Sequence, residues 1–457
     1  MARPQKMRSF FSRLGFFSQK SANIYLYYLL EKRRCSVKIN ALLKKYNNAN
    51  LVLRIAISIV LGGALGYFIP SQKWISEFGV LFVGALKAVA PVLVFILIVC
   101  SLASGKSNLD RRFGKVAVLY IISTLVASLV AMLASFIFPQ HLDLVNVSEV
   151  SSAPSDIAEV MHNLLIHAVS NPFASIAEAN YIGILVWSAF LGFSIKKVAS
   201  ETTLRVLHDL TDAVSMVVRW IINLAPFGIM GIMFTSVSTN GIGIFKTYGS
   251  LILILVVSMF FMALVVVPAI VGITLRQDPY PLVLRCLKSS AVTAFFTRSS
   301  AANIPVNMAL CKKLGLDREF YSVSIPLGAT INMSGAAITI MVMTLAAVHT
   351  LGIPMSVSSA LVVCLLASLG ACGTSGVAGG SLLLIPLACT PFGISTDIAM
   401  QVVAVGFVIG VIQDSLETAL NSSTDAIFTA TAEYSTWKKQ GRALPKDLFK
   451  EEKPVEE

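Results

Sequence analysis

Residues 397–432, DIAMQVVAVGFVIGVIQDSLETALNSSTDAIFTATA, open as an apolar run long enough to enter a bilayer. They then place Asp414, Glu417, Thr418, Asn421, Ser422 and Asp425 in an otherwise apolar helix. At about 100° per residue, Asp414, Glu417, Asn421 and Asp425 fall within roughly 80° of one another, a single polar stripe. Three carboxylates at membrane depth cost about 2.5–3.5 kcal/mol each on insertion scales. Such a stripe persists where it faces a cavity and binds something, and a cation or an ammonium group is the fitting partner. The alternative is a helix that dips into water with a solvated charged face. The apolar and small residues around the stripe argue against it.

Composition agrees with membrane burial. Of 457 residues, 56% are hydrophobic and 13% charged, against roughly 25% charged in soluble domains. The chain reads as an all-α polytopic membrane protein whose partner is the lipid bilayer. Its net charge of +12 is no sign of nucleic-acid binding, because the basic residues gather in short loops and at the termini. The seven cysteines include no CxxC pair. Packed free thiols are expected, not a disulfide framework.

Residues 1–48 carry eleven Lys/Arg against one acid, Glu31. They read as a basic extension at the cytoplasmic face, a surface helix, a tail or an upstream mis-start, without the apolar core and cleavage site of a signal peptide. Apolar runs follow at about 52–70, 78–104, 115–138, 181–195, 210–236 and 249–275, each near the ~20 residues a crossing needs. Loop charges set orientation. Lys106, Arg111, Arg112 and Lys115 mark one inner loop, and Lys196, Lys197 and Arg205 mark the next. Residues 139–180 hold no Lys or Arg. Both termini are expected inside.

Past residue 288 the alternation fails. Residues 289–311 could cross, yet Arg285 and Lys288 precede them and Lys312, Lys313 and Arg318 follow. A re-entrant hairpin keeps both basic flanks inside, and its centre, Arg298-Ser299-Ser300-Ala301-Ala302-Asn303-Ile304-Pro305, is small and polar. Non-helical backbone at this depth is tolerated where it lines a cavity. In the next span, Gly328 and Gly335 bracket Thr330 and Asn332, the composition of a broken helix or of close helix packing. Residues 348–396 contain no Asp, Glu, Lys or Arg, and a Gly-rich centre at 370–380 separates two short apolar arms. A second hairpin, entering from the outer face, restores the parity of crossings. Two opposed hairpins, each followed by a span bearing polar residues, form the layout of an inverted repeat with a transport site near the midplane.

Assembled, these residues resemble the dicarboxylate/amino acid:cation symporter family, the glutamate-transporter fold, and within it the bacterial serine/threonine:sodium symporters. The similarity runs from about 49 to 435. It rests on LFVGALKAVAP at 81–91, Ala225-Pro226-Phe227-Gly228, the Ser-rich tip at 298–305, Pro326 to Met333, and Asp414 to Asp425. The resemblance implies eight transmembrane helices plus two re-entrant hairpins, an elevator-type mechanism and a homotrimer. It implies mainly scaffold and trimerisation helices over 49–282, the third and sixth of them joining the transport domain. A transport core over 283–435 and a charged cytoplasmic tail at 436–457 complete the chain.

By position, the resemblance implies that Asp414 takes the substrate ammonium. Ser299, Ser300, Thr418 and Asn421 hold the backbone groups, and Gly376 and Val377 close the second hairpin. Sodium, the coupling ion, would use Asp425 with carbonyls of Gly328, Asn332 and Asn421. A second sodium would use Thr330, Ser368 and the Met333 sulfur. A third would use Tyr120, Ser123 and Thr124, with Ser334 where many members carry an Asp. No other cofactor is expected. Arg298 pairs with Asp414 or Glu417, or serves structure alone. Lys87 and Arg219 read as snorkelling side chains.

Substrate choice turns on Glu417, which stands where acidic-substrate members carry an Arg. A Glu there repels a side-chain carboxylate, and a small neutral amino acid could donate a hydroxyl to it. The expected activity is sodium-coupled import of serine and threonine across a bacterial inner membrane. Alternatives are a sodium- or proton-coupled carrier of dicarboxylates or acidic amino acids, and an intramembrane serine protease. The latter rests on Gly373-Thr374-Ser375-Gly376 alone. It lacks a His after Ser375 to serve as base, so no enzyme is expected.

Overall fold

A computed structural model describes residues 51–104, 111–144, 157–374, 379–442 and 444. The basic extension at 1–48 and most of the tail at 436–457 lie outside the described residues, as do Ser375, Gly376 and Val377. The chain divides into Met1–Arg54, of which only 51–54 are described, and Ile55–Glu457.

The described residues are helical almost throughout, with no strand among them. Helices α1 (Leu51–Phe68), α2 (Ser76–Ala103) and α3 (Arg111–Ile137) come first. Then follow α4 (Ile157–Ala168), α5 (Pro172–Ala177) and α6 (Tyr181–Val198). The run expected at 210–236 is not one helix. It spans the end of α7 (Glu201–Asn223) and most of α8 (Ala225–Asn240), which meet at Leu224. Pro226 supplies the reason: without an N–H it suits a helix's first turn and not its interior.

The apolar stretch Ala225–Leu275 is 51 residues long, far more than the ~20 of one crossing. It breaks after Asn240, where Gly241 takes φ +71. Beyond lie α9 (Ile244–Phe261), a π-turn (Met262–Val266) and α10 (Val267–Leu275). By length and composition six stretches of the described residues are long and apolar enough to cross a membrane, with shorter apolar helices beside them. They leave room for the expected eight.

The first hairpin is longer than the sequence indicated. One arm runs through α11 (Tyr280–Cys286), a π-turn (Leu287–Ala291) and α12 (Val292–Thr297), the other is α13 (Ser300–Lys313). Arg298 ends α12 in the left-handed conformation, φ +51. Ser299 caps α13 by accepting from Ala302 N at 3.2 Å, the usual role of a Ser just before a helix.

The following span is broken. Helix α14 (Arg318–Ile331) stops, Asn332 and Met333 are non-helical, and α15 (Ser334–Thr350) resumes. The second hairpin pairs α16 (Val357–Ala371) with a short arm ending in α17 (Ile385–Cys389). Last comes α18 (Thr396–Lys439), 44 unbroken residues, four of them beyond the expected boundary at 435. Its polar residues therefore do not interrupt it, unlike those of α14–α15. At its basic end Arg112 Nη1 meets Asp317 Oδ2 at 3.0 Å and Glu433 Oε1 at 3.9 Å, while Glu433 accepts from Asp317 N at 3.0 Å. This brace ties α3 and the loop before α14 to α18.

Candidate functional site

Among the elements packed on α18 are α3, both hairpins, and the two halves of the broken span. Two glycines permit the approach. A Cβ on Gly335 would stand 2.8 Å from the Glu417 backbone, and one on Gly328 2.6 Å from Asp425 Oδ1. The stripe is buried: Asp414, Glu417 and Asp425 are 3%, 6% and 1% exposed.

Asp414 stands where the hairpins meet. Arg298 Nε donates to its Oδ2 at 2.7 Å and Gly379 N to its Oδ1 at 3.2 Å. Of the sequence alternatives, Arg298 thus takes Asp414. The pair also accounts for a bulky residue in a left-handed turn that favours glycine. Ser300 is buried at the start of α13. Thr418 donates to Asp414 O at 2.8 Å, within its own helix. Asn421 accepts from Gly335 N at 2.7 Å and donates to Met333 Sδ at 3.4 Å, so its amide fastens the helix break to α18.

Asp425 is the most demanding group. Its Oδ1 accepts from Asn332 Nδ2 at 2.8 Å, while its Oδ2 is buried with no hydrogen-bond partner. Asn332 Oδ1 is likewise buried and unpartnered, and its Nδ2 also donates to Asn421 O at 3.1 Å and Thr424 Oγ1 at 2.7 Å. Two unsatisfied oxygens, one carrying charge, beside an interrupted helix are costly unless a cation joins them. Hard oxygen donors suit an alkali or alkaline-earth ion. The Gly328 carbonyl, expected as a ligand, accepts from Asn332 N at 2.9 Å.

The other expected ion ligands fall in two groups. Thr330 donates to Leu327 O at 2.7 Å, and Ser368 to Cys364 O at 2.7 Å, with Ser128 Oγ 3.0 Å away. Tyr120 OH lies 3.1 Å from Ser324 O and 3.0 Å from Thr429 Oγ1. Ser123 and Ser334 share a hydrogen bond at 2.8 Å, and Thr124 accepts from Met333 N at 3.3 Å. At Ser334 a hydroxyl pair occupies the place expected for a carboxylate, so that corner lacks a second negative charge.

Sequence reasoning overlooked several partners. Gln413, one turn before Glu417, donates to it, as do Thr339 and Ser381 at 2.8 Å each. The i,i+4 spacing of Gln413 and Glu417 was the available signal. Within hairpin one, Asn303 donates to Ser422 Oγ at 2.8 Å and Asn307 to Ser422 O at 2.8 Å. Lys87, expected to snorkel, instead forms an ion pair with Asp397 at the first turn of α18. The six described cysteines are all free.

Comparison with known proteins decides the family. The model of the sodium:dicarboxylate symporter family matches residues 51–435. The chain belongs to that family. Its fold is the elevator-type glutamate-transporter fold, a transporter and not an enzyme, and the chain is a multi-pass membrane protein. Among this symporter's relatives, a protein of Bifidobacterium adolescentis named serine/threonine transporter SstT is 56% identical over 404 residues, 88% of this chain and 94% of the relative. Proteins of the same name from Streptococcus thermophilus and Streptococcus agalactiae are 52% and 53% identical, over 86% and 87% of this chain and 98% and 99% of theirs.

Proposed function

We propose that the chain imports serine and threonine with sodium across the inner membrane of a bacterial cell, both termini inside, as a homotrimer. Relatives more than half identical over nearly their full length carry the serine/threonine transporter name, and the family is one of sodium symporters. The observation that carries the reading is Asp425, a buried carboxylate with one oxygen lacking any donor beside the equally unpartnered Asn332 amide oxygen. A sodium ion there satisfies both.

The second half of the reading is Asp414. A substrate ammonium competes with Arg298 for this carboxylate, and the substrate's carboxylate meets Ser299, Ser300 and the positive N-terminus of α13. Thr418 and Asn421 line the same face of α18, and Gly376 and Val377 would cover it. Sodium takes Asp425 with Gly328, Asn332 and Asn421; a second ion takes Thr330, Met333 and Ser368. A third, weaker set is Tyr120, Ser123, Thr124 and Ser334. Glu417 turns away glutamate and aspartate by repulsion.

The test is uptake of labelled serine by proteoliposomes with and without an inward sodium gradient. Uptake should require the gradient, and Asp414→Asn should abolish it while the protein remains inserted. Normal serine transport by that variant would overturn the ammonium assignment. Glu417→Arg should let aspartate compete; unchanged competition would count against Glu417 as the discriminating residue.

A further inference from the structure

A cavity of about 370 Å³ lies between α9 with its π-turn, the first arm of hairpin one, and α18. Every side chain that lines it is apolar, Ala291, Phe295, Ala419 and Leu420 among them. An engineered apolar cavity of about 150 Å³ already binds benzene, and ligand pockets begin near about 300 Å³. Water finds no polar partner on these walls, and left empty they forfeit dispersion contacts. The backbone shapes the space. Both π-turns, Met262–Val266 and Leu287–Ala291, supply lining residues, and π-turns recur at functional sites. Tyr280 OH donates to Leu264 O at 3.2 Å, which joins the start of hairpin one to the first of these turns. Floor and lip differ in exposure. Ala419 and Leu420 are 8% and 3% exposed, whereas Val292 and Phe296 are 55% and 77% exposed.

We infer that this cavity receives one acyl chain of a bilayer phospholipid. The occupant follows from continuity with the membrane-facing surface. The lip residues Phe260, Leu264, Val292 and Phe296 are exposed, as are Phe261 and Val265 beside them in the chain. In a multi-pass protein the medium that meets such a surface is hydrocarbon. An acyl chain gains here from close packing and not from leaving water, because lipid tails are as apolar as Leu. At about 100° per residue, Leu416, Ala419 and Leu420 fall about 140–240° around α18 from Asp414. The cavity therefore lies against the apolar back of the helix that carries the polar stripe. On its other wall, Phe295 and Phe296 lead to Arg298, which pairs with Asp414. A lodged chain packs between that apolar back and the segment leading to the tip of hairpin one. The inference rests on membrane insertion and on nothing about the substrate.

The deciding experiment places the wild-type protein in phosphatidylcholine vesicles, a small share of whose lipid carries a diazirine at the end of one acyl chain. After illumination, mass spectrometry locates the label along the protein. Label on Ala419 or Leu420, which lipid coating the surface does not reach, is the expected result. Label confined to exposed residues such as Val292 and Phe296 would overturn the inference, whatever else fills the space. Filling the cavity gives a second reading. Ala291→Phe should lose the floor label and keep the label on Phe296. Ala263→Phe fills the space from the opposite wall and takes its place if the first variant does not fold. A floor label undiminished in a filled variant that elutes as the wild type in gel filtration would also overturn the inference. Neither reading depends on which amino acid is carried.

Discussion

The two hairpins engage the same helix in different ways. Hairpin one is bolted along its body. Ser290 donates to Asn307 at 2.6 Å between its arms, and Asn303 and Asn307 both reach Ser422 on α18. Hairpin two touches the polar stripe through Gly379 N on Asp414 and Ser381 Oγ on Glu417. Elsewhere its first arm packs on α3 and α15, with hydroxyl and thiol contacts to α3 such as Ser368 with Ser128 and Cys364 with Ser128 O. The body of hairpin one is therefore fastened independently of the acids proposed to bind substrate, and only its tip reaches one of them, through Arg298 on Asp414. Hairpin two's hydrogen bonds to α18 are made to those acids themselves, so whatever binds them acts directly on that polar attachment.

The largest expected effect tests the ground beneath both hairpins. Asp425→Asn removes the buried charge that neither hairpin uses. Breaking such a buried charge pairing costs about 3–5 kcal/mol, so sodium-driven uptake should fall more than about 100-fold, with both hairpins still attached by protease-protection mapping. Next comes Asn307→Ala, which leaves buried partners without donors. It should destabilise the protein by about 1–3 kcal/mol in thermal unfolding while leaving the order of competing amino acids intact. A change in that order would break the distinction between the hairpins.

Gly379→Ala probes hairpin two. Gly379 has φ +71, and a Cβ there would meet the Phe407 ring at 2.9 Å. Strain of about 1–2 kcal/mol should weaken apparent serine affinity roughly tenfold, with a smaller effect on unfolding than Asn307→Ala. The smallest effect belongs to Lys87→Met. The ion-paired side chains are 42% and 80% exposed, and exposed pairs contribute about 0–1 kcal/mol. Uptake should change less than about fivefold, and the change should shrink in high salt.

Much of this arrangement was legible in the chain. Apolar runs, basic loops and a stripe at helical spacing revealed the helical membrane class, and the Gly328–Gly335 segment marked the broken span, because burial and backbone exposure leave strong compositional traces. The break between α7 and α8 was concealed by continuous apolarity across Pro226, and the hairpin's true start by the ordinary composition of residues 280–288. Gln413, Thr339 and Ser381 were overlooked for a different reason. Neutral polar side chains are common in helices, and only the fold brings residues 339, 381 and 413 to one carboxylate. Lys87 and Asp397 are 310 positions apart, beyond the reach of any local pattern.

One property of α18 has wider reach. At 1.5 Å per residue, its 44 residues form a shaft of about 66 Å, more than twice the ~30 Å of a bilayer's hydrocarbon. With no joint along it, its first turn cannot travel without carrying Asp414, Glu417, Asp425 and Glu433, the partner of Arg112, through the same distance. The exposed Lys87–Asp397 pair joins that first turn to α2, so any sliding of the shaft past α2 must first break that contact.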